Sequence, residues 1–274
     1  MYVTFKIQMN KKRLKIKLFT LKNVIYCLVD YIIKKFSKKL IFEKNVLEAT
    51  SYLESEGVFI SELLIDKFWC EILRNEIDKN LASNNVLVWT GFLQADKRIF
   101  GMEKFSTIAQ EILENRIIEV SLNLYKGQKH SHRFNMAARI SFAEGNLGSG
   151  EGWHRDWSDY HQAKSITYLS EVDSNSGPFE YITKSHNIKS ILRDWVKYRI
   201  SPFSWQINEI KVNKIIQNEP HRYIKVLGPP GLTLLADMRG IHRGRPLGKN
   251  CSRYAITNYY FYRKIPDFLI RILN

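Results

Sequence analysis

Cysteine and long hydrophobic runs are scarce in this chain of 274 residues, and each absence excludes a class of protein. The three cysteines, Cys27, Cys70 and Cys251, lie far apart without a Cys-x-x-Cys spacing, which argues against a disulfide framework or a zinc knuckle. The longest apolar run near the N-terminus, residues 24–29, is far shorter than the ~20 residues of a membrane span, and no cleavage site of a signal peptide follows it. We therefore expect a cytoplasmic protein from a reducing compartment.

The net charge of +15 is concentrated near the N-terminus, where residues 1–47 contain twelve Lys or Arg but only two acidic residues. Lysines alternate there with apolar residues, and positions 25, 28, 29 and 32 have helical spacing, which predicts a basic amphipathic helix. The favoured role for its apolar stripe is packing against the main domain. Contact with an anionic membrane surface is the second interpretation, and nucleic acid is the less favoured partner.

The rest of the chain begins with helical patterns and continues with short strands. Residues 46–81 predict two helices joined by an extended piece after Gly57, residues 85–89 predict a strand, and residues 107–125 predict a helix at least in their first half. After residue 133, six β-branched or aromatic runs alternate with turn residues, and a helical or irregular insertion at 187–210 separates the third run from the fourth. This pattern favours an antiparallel sandwich or barrel over a parallel α/β sheet.

A candidate metal site centres on His154 and Asp156 in the stretch GEGWHRDWSDY. The pair alone is weak evidence, but residues i and i+2 of a strand share one face, so both side chains would point to one place. His242, which follows a buried-looking strand and a glycine-containing turn, is the favoured third ligand, and His186 is the second candidate. Two histidines and one carboxylate form the facial triad that binds non-haem Fe(II) and leaves coordination positions open.

Arg253 is a candidate anion ligand near this site, because it opens the last predicted strand one short turn after His242. By itself it would be interpreted as a surface charge at the end of a strand. Beside a facial triad, its planar guanidinium would neutralise the distant carboxylate of a chelating dicarboxylic 2-oxo acid.

The motifs WHRDW, YLSEVDSNSGPFEYITKSH and GIHRGRP, with Arg253 after them, resemble the phytanoyl-CoA dioxygenase family of Fe(II)- and 2-oxoglutarate-dependent oxygenases over residues 50–262. The resemblance implies a mainly β fold, in which N-terminal helices flank a double-stranded β-helix (jelly-roll, cupin-like) core. It further implies that His154, Asp156 and His242 bind iron, that Arg253 binds 2-oxoglutarate, and that molecular oxygen is consumed. Asp156 implies hydroxylation, since related halogenases have a small residue there.

This chain departs from the family pattern at two places. Lys184, Ser185 and His186 stand where the family often has Gly-Ser-His. Gly244 stands two residues after the distal histidine, where the family often has a hydroxyl side chain that would bind 2-oxoglutarate.

We therefore expect a basic extension at 1–47 and a dioxygenase-like domain at 48–274, made of a helical part (48–130) and a β-helix core (131–265) that contains the insertion at 187–210. The expected activity is hydroxylation of a small-molecule or lipid-like substrate with release of succinate and carbon dioxide, and Trp157 and Tyr160 are candidates for a substrate wall or for ordinary core packing. Two alternatives stay open. One is a protein of this fold that binds metal or ligand without turnover, and the other is a nucleic-acid-binding protein that acts through residues 1–47.

Overall fold

The computed structural model describes residues 43–83, 88–91, 93–156, 162–263 and 265. Residues 1–42 of the predicted basic extension (1–47) and the two candidate substrate residues, Trp157 and Tyr160, lie outside the described residues. Within the described part of the chain, no helix is both long enough and apolar enough to cross a membrane.

The helices confirm most of the sequence-based expectations. The described helices are α1 (Lys44–Ser55), α2 (Lys67–Ala82), α3 (Thr107–Leu113), α4 (Arg116–Lys126), α5 (Ile188–Tyr198) and α6 (Glu209–Asn218). The single helix predicted from residue 107 onward is two helices, because the side chain of Asn115 accepts a hydrogen bond from the backbone N–H of Ile118 at 3.1 Å and starts a new helix. The insertion is longer than expected, since α6 continues past residue 210 to Asn218.

The strands form two antiparallel sheets. Those described are β1 (Val58–Leu63), β2 (Val88–Thr90), β3 (Asp96–Phe100), β4 (His132–Ser141), β5 (Gln162–Tyr168), β6 (Phe179–Ile182), β7 (Tyr223–Val226), β8 (Leu232–Asp237), β9 (His242–Gly244) and β10 (Ser252–Phe261). The large sheet has the order β1-β8-β5-β10-β4-β3-β2, and the small sheet has the order β7-β6-β9.

The two sheets face each other across a common core, which makes the fold a double-stranded β-helix, or jelly roll. Leu234 and Ala255 of the large sheet belong to the same buried cluster as Phe179, Tyr181 and Val226 of the small sheet. Alternate side chains of each strand point into this interior because the side-chain period of a strand is two. The expected mainly β architecture with flanking N-terminal helices is confirmed.

A buried charged cluster joins the helical part to the large sheet. Asp237, the last residue of β8, is completely buried and contacts Arg239 and, at 3.2 Å, the ammonium of Lys126 at the end of α4. Burial alone would raise the pKa of Asp237, but Arg239 and Lys126 together hold that pKa well below its ordinary value. The carboxylate therefore stays ionised and binds two elements of the fold together.

Candidate metal centre

His154, Asp156 and His242 converge at one end of the jelly roll. The backbone of His154 forms two hydrogen bonds with that of His242, at 2.9 and 3.0 Å, and the N–H of Asp156 donates to the carbonyl of Met238 at 2.8 Å. His154 forms β-bridges with His242 and Gln206 but is not part of a regular strand, in contrast to the strand we expected there. The segment nevertheless runs beside β9, so its two candidate ligands and His242 point to one place.

The ligand atoms of these three residues all lie within 4.8 Å of one another. The Asp156 Oδ1 atom lies 3.4 Å from the Nε2 of His154 and 3.9 Å from the Nε2 of His242. Both histidine Nδ1 atoms lie 2.9 Å from a backbone carbonyl, that of Gly152 for His154 and that of Gly240 for His242. Because a carbonyl only accepts, each Nδ1 carries the hydrogen and each Nε2 presents its lone pair to the shared space.

The charges of the site favour metal binding. Burial and the neighbouring His154 lower the pKa of His242 to about 3, so this imidazole is neutral at physiological pH. Burial alone would raise the pKa of Asp156, but the ammonium of Lys164 and the two imidazoles hold it well below its ordinary value. Lys164 contacts Oδ2 of Asp156, whereas Oδ1 faces the histidines. Metal ligands must be deprotonated, and Asp156 and His242 meet that condition.

The three residues line a cavity of about 560 Å³ between the two sheets. Its wall is mostly apolar, and the part supplied by large side chains includes Phe100, Met136, Ile166, Phe179, Phe203 and Trp205. Phe203 and Trp205 belong to the insertion, and the N–H of Arg155 donates to the carbonyl of Trp205 at 2.8 Å, which holds the insertion against the ligand-bearing segment. The insertion therefore helps to shape the cavity.

Arg253 lies in the wall of the same cavity, on β10 opposite Ile140 of β4. Arg253 is only 6% exposed, so its interpretation as a surface charge at the end of a strand is wrong. It forms no ion pair or side-chain hydrogen bond with any residue that the structure describes, and its buried Nε has no partner there. Burial accordingly lowers the pKa of its guanidinium. A buried cation without an ion-pair partner is costly, and an anion in the cavity would compensate it.

Sequence reasoning missed three polar residues of this cavity, Arg98, Ser149 and Lys164. Lys164 carried a signal, because a lysine in the middle of β5 interrupts a strand with a buried face, and its ammonium lies 4.5 Å from the centre of the Tyr259 ring. The sequence gives no such signal for Arg98 and Ser149. Arg98 reaches the cavity through the pairing of β3 with β4, and Ser149 reaches it through the packing of a loop. His186, the second candidate ligand, is outside the cluster: its Nε2 lies 3.3 Å from the carbonyl of Glu54.

No protein-family model and no curated protein sequence matches this chain. Solved structures do match it. EctD from S. alaskensis with bound Fe is 15% identical with a TM-score of 0.62, and the match covers 86% of this chain and 87% of that chain.

Two further structures are similar. SnoK, a non-haem α-ketoglutarate-dependent carbocyclase from nogalamycin biosynthesis, is 12% identical with a TM-score of 0.57, and the match covers 84% of this chain and 91% of that chain. HygX from Streptomyces hygroscopicus, with nickel, 2-oxoglutarate and hygromycin B, is 13% identical with a TM-score of 0.54, and the match covers 80% of this chain and 88% of that chain. The chain has the fold of these proteins. Membership of the phytanoyl-CoA dioxygenase family stays a prediction.

Proposed function

We propose that this chain is an Fe(II)- and 2-oxoglutarate-dependent dioxygenase that hydroxylates a small-molecule or lipid-like substrate. One observation carries the proposal: the cluster of His154, Asp156 and His242 lines the same cavity as Arg253, a buried cation without an anionic partner among the described residues. Two imidazoles and a carboxylate suit Fe(II). The guanidinium of Arg253 suits the distal carboxylate of 2-oxoglutarate.

The residues around the cavity have separate roles in this proposal. Bound iron with 2-oxoglutarate and molecular oxygen would supply the oxidation of a carbon–hydrogen bond, which side chains alone do not perform. The carbonyls of Gly152 and Gly240 orient the two imidazoles, and Lys164 orients the carboxylate of Asp156 through the oxygen that faces away from the histidines. The apolar wall excludes water from the space where the substrate would bind.

The cavity supports a substrate that is small and largely apolar. A volume of about 560 Å³ lies within the usual range for small-ligand sites, and part of it would hold 2-oxoglutarate. The structures of similar fold include HygX with hygromycin B and EctD with 5-hydroxyectoine, so this fold accepts chemically different small molecules. Asp156 supports hydroxylation over halogenation, because it occupies the position at which a halide would need room.

Spectroscopy without oxygen tests the proposal. Adding Fe(II) and 2-oxoglutarate to the metal-free protein should produce a visible metal-to-ligand charge-transfer band that is absent from His154→Ala and retained in His221→Ala, a change at an exposed histidine. A folded wild-type protein without this band would contradict the proposal.

Admitting oxygen in a metabolite screen should then release succinate and give a product heavier by one oxygen atom. A product of unchanged mass, or one that has lost hydrogen, would place the chain with the epimerases or cyclases of this fold. A band without succinate from any compound would favour the non-catalytic alternative.

A further inference from the structure

Gly244, two residues after His242, leaves a space that another segment fills. A Cβ at position 244 would lie 2.9 Å from Cβ of Ser149 and 3.1 Å from Nη2 of Arg253. The backbone does not demand glycine, because Gly244 is not among the residues with positive φ. Crowding by Ser149 therefore excludes a side chain at 244, and Ser149 and the guanidinium of Arg253 border the same space.

The loop before the metal ligands fixes Ser149 in this place. The N–H of Gly244 donates to the carbonyl of Ser149 at 3.2 Å, and the N–H of Gly148 donates to Oδ1 of Asn146 at 2.8 Å. Gly148 has φ of +92°, and a Cβ there would lie 2.0 Å from the carbonyl oxygen of Gly244, so only glycine lets the loop pack this closely on β9.

Arg98 determines which way the hydroxyl of Ser149 can donate. Nη2 of Arg98 lies 2.9 Å from Oγ of Ser149, and because a guanidinium only donates, Oγ is the acceptor. The hydroxyl hydrogen is left for another acceptor, and no described residue accepts it. Asp96 neutralises Arg98, with its Oδ1 2.9 Å from Nε, so the arginine is itself held in position.

We infer that the hydroxyl of Ser149 donates a hydrogen bond to the distal carboxylate of 2-oxoglutarate beside Arg253, in place of a hydroxyl side chain at position 244. Arg98 is the positioning residue that turns this hydroxyl toward the anion. The inference rests on the proposed function. It explains how a chain with Gly244 can keep a hydroxyl donor at the carboxylate site, supplied by a loop instead of by β9.

Titration of 2-oxoglutarate into the anaerobic Fe(II) protein, followed by the charge-transfer band, tests the inference. Ser149→Ala keeps the Cβ and removes only the hydroxyl, so the dissociation constant for 2-oxoglutarate should rise about 10- to 100-fold, the usual effect of losing a hydrogen bond to a charged group. Fe(II) affinity, measured separately, should stay unchanged. Ser252→Ala, beside Arg253 but exposed, should bind 2-oxoglutarate like the wild type.

A second test moves the hydroxyl group from position 149 to position 244. Gly244→Ser should weaken 2-oxoglutarate binding because its Cβ collides with Ser149, and Ser149→Gly with Gly244→Ser should restore it because the hydroxyl returns from β9. A wild-type band with unchanged 2-oxoglutarate affinity in Ser149→Ala overturns the inference alone. A folded wild-type protein without any band overturns the proposed function and the inference together.

Discussion

Arg253 should make the metal-free protein less stable while it makes 2-oxoglutarate binding possible. Arg222 is the matched comparison: it is 1% exposed, but its guanidinium pairs with the completely buried Asp194 at 2.8 Å. Arg253 is 6% exposed and pairs with no described residue. Methionine replaces either side chain with an apolar one of similar length, so the two substitutions separate the cost of a buried charge from the loss of a buried ion pair.

The two variants should change stability in opposite directions. Replacing a buried ion pair with apolar residues is often neutral or stabilising by about 1–4 kcal/mol, because the charges no longer have to be desolvated. Arg253→Met leaves no partner charge unpaired, and because the cavity of Arg253 is partly open we expect it to stabilise by about 1–2 kcal/mol. For a chain of this size, that gain corresponds to an increase in Tm of about 2–8 °C. Arg222→Met leaves Asp194 buried without its main partner and should cost about 3–5 kcal/mol.

Unfolding of the metal-free proteins by heat and by urea measures this difference, and the same anaerobic band measures 2-oxoglutarate binding. Arg253→Met should lose at least about 100-fold in 2-oxoglutarate affinity, because two charge-assisted hydrogen bonds disappear together. The reasoning is refuted if Arg253→Met unfolds as easily as Arg222→Met, since Arg253 would then be a paired structural residue.

Three further predictions concern the ligands and the buried charges. In Gly150→Ala the new Cβ would lie 2.0 Å from the imidazole of His154, so calorimetry should show about 10- to 100-fold weaker Fe(II) binding, whereas Gly145→Ala, also at positive φ but in open space, should bind normally. Lys164→Met should lower the stability of the metal-free protein by about 2 kcal/mol in urea unfolding, because the carboxylate of Asp156 loses its counter-charge. Fe(II) should raise the Tm of this variant more than that of the wild type, because the metal would replace that counter-charge. Asp237→Asn should lower the free energy of unfolding by about 3–5 kcal/mol at neutral pH. In urea unfolding at lower pH, the wild-type advantage should shrink below pH ~4, because a carboxyl whose pKa is lowered in the folded state loses its contribution to stability as the pH falls.

Each of these predictions has a contrary result. Equal loss of Fe(II) affinity in the two glycine variants would show that backbone strain, and not the imidazole, is responsible. An unchanged stability of Lys164→Met would show that its ammonium is not the counter-charge of Asp156. A wild-type advantage over Asp237→Asn that grows on acidification would reverse the sign required by the lowered pKa of Asp237.

The parts of the fold that could be predicted from sequence depend on local patterns. Apolar residues at helical spacing on both sides of Gly57 predicted α1 and α2, since such spacing gives each helix one buried face. The extended piece after Gly57 predicted β1. The β-branched and aromatic runs predicted six of the strands. The short β9 was not predicted, because its three residues form a strand through pairing with the distant β6 and not through a local pattern.

In the candidate site, too, local patterns predict some residues and miss others. The His-x-Asp spacing brought two candidate ligands together without knowledge of the fold, and His242 and Arg253 were predicted as chemical complements of that pair. Ser149 and Arg98 could not be found, because their meeting depends on the packing of a glycine-containing loop on β9 and on the register that places Arg98 opposite Ala138. Distant segments meet there for reasons that no local pattern contains.

A crystal structure determined without oxygen, with Fe(II) and 2-oxoglutarate, tests the central claim most directly. It should show iron bound by Nε2 of His154, Nε2 of His242 and a carboxylate oxygen of Asp156, with the distal carboxylate of 2-oxoglutarate against the guanidinium of Arg253. Iron at another site, or a 2-oxoglutarate carboxylate away from Arg253, would contradict the account.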